Sequence, residues 1–362
     1  MLIRNWNIKL LNKLLATSLI LFVGWQISGV KGQRWTEEQA NKWSVTNGWL
    51  RGANFIPSTA INQLEMWQAE TFDTATIDRE LGYAESIGFN VMRVFLHHKA
   101  WIQDTTGFKN RIDQYLTIAS KHNIRTMFVF FDDCWNETSA IGKQPAPKPG
   151  IHNSGWLQDP GPKERADTSY FPILEKYVKD IMNHFADDRR IVLWDLYNEP
   201  GTETSLNLLK HTFSWARSTK AVQPLTAGVF ILKKLELANL NKFQLSNSDI
   251  ITFHNYGSDS FMKAEIDSLR AYHRPLLCTE YMARTSGSKF SNILPLLKKE
   301  NVGAINWGLV SGKTNTIYAW SDTSHTDGSE PKLWHHDIFR TDGAPYSKAE
   351  TDLIRSECLN KK

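Results

Sequence analysis

The chain predicts an α/β fold, a (β/α)8 TIM barrel in one domain with long loops after strands three and eight. Three observations carry that expectation. Eight short, mainly apolar runs alternate with stretches whose apolar residues recur at helical spacing. No Ser/Gly or Pro/Thr linker and no internal repeat divides the sequence, and one α/β barrel commonly uses about 330 residues. Polar residues gather at the C-terminal ends of the runs, where parallel α/β barrels hold their ligands.

Strand one is expected over residues 49–55, with Asn54 near its end and a long loop through Trp67 after it. Asp73 or Thr74 can cap a first helix that ends near Ser86. Ile77, Leu81, Ala84 and Ile87 share one face of it, and Gly88 stops it. Strand two, 90–96, is interrupted by Arg93, a charge costly to bury without a partner. A helix over 110–121 leads to strand three, 126–131, which ends in Asp132 and Asp133. Residues 134–168 follow as an irregular stretch, because five prolines and four glycines interrupt any regular backbone. Long ordered loops of this kind are usually walls or lids, and Trp135 and Trp156 suit the wall of a sugar site. Packing on the barrel rim is the plainer alternative.

A helix over 171–185 feeds strand four, residues 191–200, which reads IVLWDLYNEP. Its apolar half ends in Asn198 and Glu199, and Pro200 prevents its continuing in the ladder. A helix over 203–218 precedes strand five, 225–230. Strand six, 249–253, is tipped by His254, Asn255, Tyr256 and Gly257, and a helix over 259–272 follows. Strand seven, 275–281, carries Glu280; a helix over 290–300 leads to strand eight, 302–307, which ends in Trp307. A second long loop, 311–337, and a last helix, 346–359, complete the expected barrel.

The first 33 residues are set apart. Arg4, Lys9 and Lys13 precede an apolar run from Leu14 to Trp25, and small or modest residues at Val30 and Gly32 offer a cleavage site before Gln33. This predicts a signal peptide over residues 1–33, a catalytic domain over 34–362, and a secreted or periplasmic protein. A membrane anchor is the alternative, but the run is shorter than the roughly 20 residues a span needs. With Lys31, the leader's cations account for the whole formal charge of +4, so the remainder is neutral. Nucleic acid, which needs a concentrated basic face, is not an expected partner, nor is a membrane once the leader is removed. An uncharged carbohydrate and a monomeric enzyme are the expectation. Cys134, Cys278 and Cys358 have neither metal nor disulfide spacing and are expected to be free thiols. The pairs His97-His98, His335-His336 and Asp132-Asp133 lack HxxxH or HExxH spacing, so neither metal nor cofactor is expected.

If the barrel closes, its strand tips bring Asn54, Arg93, Asp132, Asn198, Glu199, His254, Tyr256, Glu280 and Trp307 into one bowl. Two carboxylates on separate strands are what hydrolysis of a glycosidic bond requires. The ordered set of Arg93, Asn198-Glu199-Pro200, His254 with Tyr256, Glu280 and Trp307 resembles the retaining glycoside hydrolases of clan A. Among these it is most similar to the cellulase-type family 5 enzymes, and the likeness spans roughly residues 50–310. The resemblance implies Glu199 as acid/base, Glu280 as nucleophile, Asn198 on the sugar 2-hydroxyl, and Arg93 holding Glu280 ionised and oriented. Tyr256 and His254 would steady the pair and Trp307 would floor the sugar. His97, Asp132, Trp135 and Asn54 are expected as further substrate contacts. The substrate implied is a β-linked, β-1,4-type plant polysaccharide or oligosaccharide. A transglycosylase using the same intermediate and a non-catalytic carbohydrate-binding protein are the alternatives.

Overall fold

The computed structural model describes residues 32–359. All of the expected leader except residues 32 and 33 therefore lies outside the described residues. Eight parallel strands alternate with helices: β1 Arg51–Asn54, β2 Val91–Phe95, β3 Arg125–Asp132, β4 Ile191–Asn198, β5 Leu225–Thr226, β6 Ile251–His254, β7 Leu276–Glu280 and β8 Gly303–Asn306. Their order in the sheet, β5-β4-β3-β2-β1-β8-β7-β6, is that of a barrel cut between β5 and β6. A parallel bridge between Val229 and Phe253 spans the cut, with the Val229 amide donating to Thr252 and the His254 amide donating to Val229. The (β/α)8 architecture is thus realised, with each strand where the alternation of apolar runs puts it.

β5 is the shortest strand, two residues where six were expected. The chain leaves the ladder after Thr226, whose hydroxyl turns to Thr252 at 2.8 Å, and rejoins only at Val229. The first crossover helix is Thr74–Ser86, and Asp73 is its cap, accepting from the Thr76 amide. The second begins at Thr105 rather than Asn110, because Asp104 supplies a cap by accepting from the Gly107 amide. A helix unanticipated above, Glu37–Asn47, opens the described chain. Thr36 and Gln39 form a capping box there, a pattern readable as Thr-x-x-Gln. Its Ala40 and Trp43 plug the N-terminal end of the barrel against Leu50, Val91, Met127, Leu193, Leu277 and Ile305.

The larger core lies between sheet and helices and includes Trp67, Tyr115, Tyr177 and Trp194, all fully buried. Burial of each such ring stabilises by roughly 1.5–3 kcal/mol, so the barrel needs no cross-links. The loops after β3 and β8 lock together. The Asn153 amide donates to the Thr314 carbonyl at 2.8 Å, the Asn315 side-chain amide donates to the Lys148 carbonyl at 2.8 Å, and His152 Nδ1 reaches the Tyr318 carbonyl at 2.8 Å. They make one wall above the C-terminal face. Among the described residues no helix is long and apolar enough to cross a membrane.

Candidate active site

The site is built upward from Arg93, fully buried inside the barrel. Its guanidinium donates through Nε and Nη2 to Asp195 Oδ2 at 3.0 and 2.7 Å, through Nη2 to Asn198 Oδ1 at 2.7 Å, and through Nη1 to Asn54 Oδ1 and Glu280 Oε1, both at 2.9 Å. A planar fork can serve four acceptors at fixed angles, which a lysine cannot. Asp195 and Glu280 supply the charge that makes burial of Arg93 tolerable. Asp195, like Arg93, is a charge inside an apolar strand, and it is not among the expected site residues.

Above Arg93 lie the two glutamates. Asn198 is the last residue of β4, so strand alternation would turn Glu199 away from it. Instead Glu199 adopts φ 45°, a left-handed backbone rare for a residue with a Cβ, and the bend brings both side chains into the bowl. One oxygen of Glu199, one of Glu280 and a nitrogen of His254 lie within 4.8 Å of one another. His254 Nδ1 is 2.6 Å from Glu199 Oε1 and 3.5 Å from Glu280 Oε2, while the Tyr256 hydroxyl donates to Glu280 Oε2 at 2.8 Å. The Cys134 thiol donates to Glu199 Oε2 at 3.3 Å, a contact the sequence did not suggest.

Burial raises the Glu199 carboxyl above its ordinary range, which suits a group that must keep a proton. Glu280 is also raised, to about 7, first by burial and then by the charge of Glu199, against the lowering influences of His254, Arg93 and Tyr256. Arg93 orients Glu280 and favours its ionised form, but its single cation is divided between Glu280 and Asp195, and burial outweighs its share. His254 is lowered to about 4, again chiefly by burial, and is neutral near pH 7.

A cavity of about 880 Å³ opens over these groups. Of the expected residues it is lined by Trp135, Asn198, Glu199, His254, Tyr256, Glu280 and Trp307. Trp307 is held from below by Phe95 and Trp156, at ring separations of 5.8 and 5.4 Å. Arg93 lies outside the lining, buried among its four acceptors, and the other three do not face the cavity as expected. Asn54 spends its amide on the Thr279 and Asn306 carbonyls and its oxygen on Arg93. Asp132 accepts from Asn198, the Cys134 amide and the Trp156 indole, and so braces Asn198 from beneath. His97 is fully buried at the start of helix His98–Gln103, where it caps the Lys99 amide beside Asp159. Cys134, His152, Trp320 and His336 join the lining from the two long loops. Phe230, Ile231, Leu232, Phe261 and Ala264 extend it with an apolar side, bordered by Lys233, Lys234, Ser260 and Glu265.

Two groups, Glu199-His254-Glu280 and His97-His98-Asp159, have ligand-type atoms close enough to hold a metal ion. The first shares its imidazole between the two carboxylates; in the second, Asp159 accepts from the His98 amide and pairs with its ring, so its oxygens serve the helix start.

The sequence matches the family profile described as Cellulase (glycosyl hydrolase family 5) over residues 59–334. A search of curated protein sequences gives no significant match. Among solved structures, the chain is similar to an endo-β-1,4-mannanase from Thermotoga petrophila, with 15% identity, 88% of this chain and 77% of that one covered, and a TM-score of 0.59. It is also similar to an exo-β-1,4-mannosidase from Opitutaceae bacterium strain TAV5, at 15% identity over 86% and 60% of the two chains with a TM-score of 0.57. A β-1,4-mannanase from the sea hare Aplysia kurodai gives 17% identity over 79% and 95%, with a TM-score of 0.53. At such identities the structural likeness speaks to the fold.

Proposed function

The chain belongs to the cellulase family, glycosyl hydrolase family 5, and from that premise we propose that it hydrolyses a β-linked glycoside with retention, Glu280 as nucleophile and Glu199 as acid/base. The observation that carries the reading is the short reach between the carboxylates, whose nearest oxygens lie within 4.8 Å. Separations near 5 Å suit direct attack by a carboxylate, whereas inversion needs roughly 6.5–9.5 Å to admit water. In the first step Glu280 attacks the anomeric carbon while Glu199 gives its proton to the departing oxygen. In the second, Glu199 takes a proton from water, which displaces Glu280. Arg93 and Tyr256 hold the two Glu280 oxygens in fixed directions, so the attacking lone pair is aimed before substrate arrives.

The mannan-cleaving neighbours make β-1,4-mannosides the first sugars to test, with glucosides and xylosides beside them. Transglycosylation is a second reading favoured by one feature, the apolar side formed by Phe230, Ile231, Leu232, Phe261 and Ala264. An acceptor bound there would compete with water for the glycosyl-enzyme.

The test is turnover of aryl β-glycosides and β-1,4-glucan, mannan and xylan by the wild type and by Glu280→Ala, with azide added to the variant. We expect loss of at least a thousandfold in the variant and recovery of an α-glycosyl azide. Unchanged turnover of a good substrate by Glu280→Ala would remove Glu280 from the role.

A further inference from the structure

His152 comes from the loop after β3 and His336 from the loop after β8, and both line the cavity while being buried, at 3% and 0% exposure. Their rings are 5.3 Å apart, and His336 is 5.6 Å from Tyr256, the residue that donates to Glu280. Trp320 lies 5.0 Å from Tyr256 and 5.7 Å from His336, and Trp135 lies 5.3 Å from His152. These rings continue the wall of the bowl outward from Glu280.

The backbone sets both tautomers. A carbonyl oxygen only accepts, so the Nδ1 atoms of His152 and His336, 2.8 Å from the Tyr318 carbonyl and 2.6 Å from the Met282 carbonyl, must each carry hydrogen. Both rings are neutral: burial, foremost, lowers His152 to about 4 and His336 well below the usual histidine value. A neutral imidazole held by Nδ1–H offers at Nε2 a lone pair and no hydrogen. His336 Nε2 is buried and has no hydrogen-bond partner among the described residues. An unmatched buried acceptor is costly, and packing alone would be served better by an apolar ring.

We propose that His152 and His336 recognise the terminal sugar of the substrate, each accepting a hydrogen bond at Nε2 from a ring hydroxyl, with Trp135 and Trp320 against the sugar's faces. The assignment rests on the reading of Glu280 as nucleophile, which places the sugar being cleaved beside Tyr256 and therefore beside these rings. Because the two loops are locked together, the wall they form closes that end of the bowl. The substrate class follows as a glycoside entered by its non-reducing end and released one sugar at a time.

The test uses the full chain and an aryl β-glycoside that it cleaves, compared with the same compound carrying fluorine in place of the 3-, 4- or 6-hydroxyl. Fluorine cannot donate, so at least one replacement should cost the wild type roughly tenfold or more in kcat/KM beyond its cost in His336→Phe. His336→Gln, which restores an acceptor oxygen, should recover part of that discrimination. His152→Phe provides the same comparison from the other loop should His336→Phe fold poorly. Equal fluorine penalties in the wild type and both Phe variants would overturn the proposal. So would products of mixed length from a polysaccharide. If turnover instead proved independent of Glu280, the nucleophile reading would fail, and a fluorine penalty that still tracked His336 would keep the sugar-recognition role standing.

Discussion

Arg93 shows how one side chain can organise a site without dominating its electrostatics. Its donors align Asn54, Asp195, Asn198 and Glu280, but one positive charge shared by two buried carboxylates cannot offset the loss of water around both. Glu280 therefore sits near 7, and Tyr256 is among the groups that keep it from rising further. The direction of a pH effect follows. A nucleophile works ionised, so kcat/KM falls as pH drops through the pKa of Glu280. Tyr256→Phe removes a hydrogen bond that favours the carboxylate, so the acidic limb should move to higher pH. A pH profile of both proteins checks this, and a limb that stayed in place or moved to lower pH would contradict it.

At the scale of elements, the end of β4 and the two long loops decide what the bowl contains. β4 delivers Asn198 by its strand register and Glu199 by a left-handed bend, so two consecutive residues serve one site. The loops deliver Trp135, His152, Trp320 and His336, and their junction is tight at Gly150. That residue has φ +69°, and a Cβ there would lie 2.1 Å from the His325 carbonyl oxygen. Backbone on both sides leaves no flexible neighbour to give way. Gly150→Ala should therefore separate the loops while sparing the barrel core, which lies below them. We expect KM to rise several-fold while the thermal midpoint moves by only a few degrees. An unchanged KM in a correctly folded variant would show that the wall does not depend on this junction.

For the whole molecule, stability rests on the closed barrel and its aromatic core. Cys134, Cys278 and Cys358 are all free, and Cys278 and Cys358 are buried. A reductant should then leave the thermal midpoint unchanged, as calorimetry with and without dithiothreitol would report. A drop of several degrees would reveal a disulfide that stabilises the fold. The same closure concentrates the chemistry. Parallel strands place all their C-terminal ends on one face, and residues as distant in sequence as Arg93 and Glu280 meet at 2.9 Å.

The sequence by itself determined the eight strands, the face on which the polar tips meet, and most of the inner set, Arg93, Asn198, Glu199, His254, Tyr256, Glu280 and Trp307. These were legible because period-two and helical patterns are local, and because a charge in an apolar run, or a carboxylate at a strand end, stands out from its neighbours. Asp195 carried the same signal as Arg93 and could have been found by it. The helix Glu37–Asn47 was equally legible in its capping box. Only the tertiary structure decided that Asn54, Asp132 and His97 serve as supports beneath or beside the cavity. It also decided that Cys134 touches Glu199 and that burial outweighs the lowering influence of Arg93 on Glu280. The physical reason is common to all of these. Which partner a polar group finds, how much water it loses, and how two irregular loops lie against each other depend on contacts between residues far apart in the chain, and no local pattern encodes such distances.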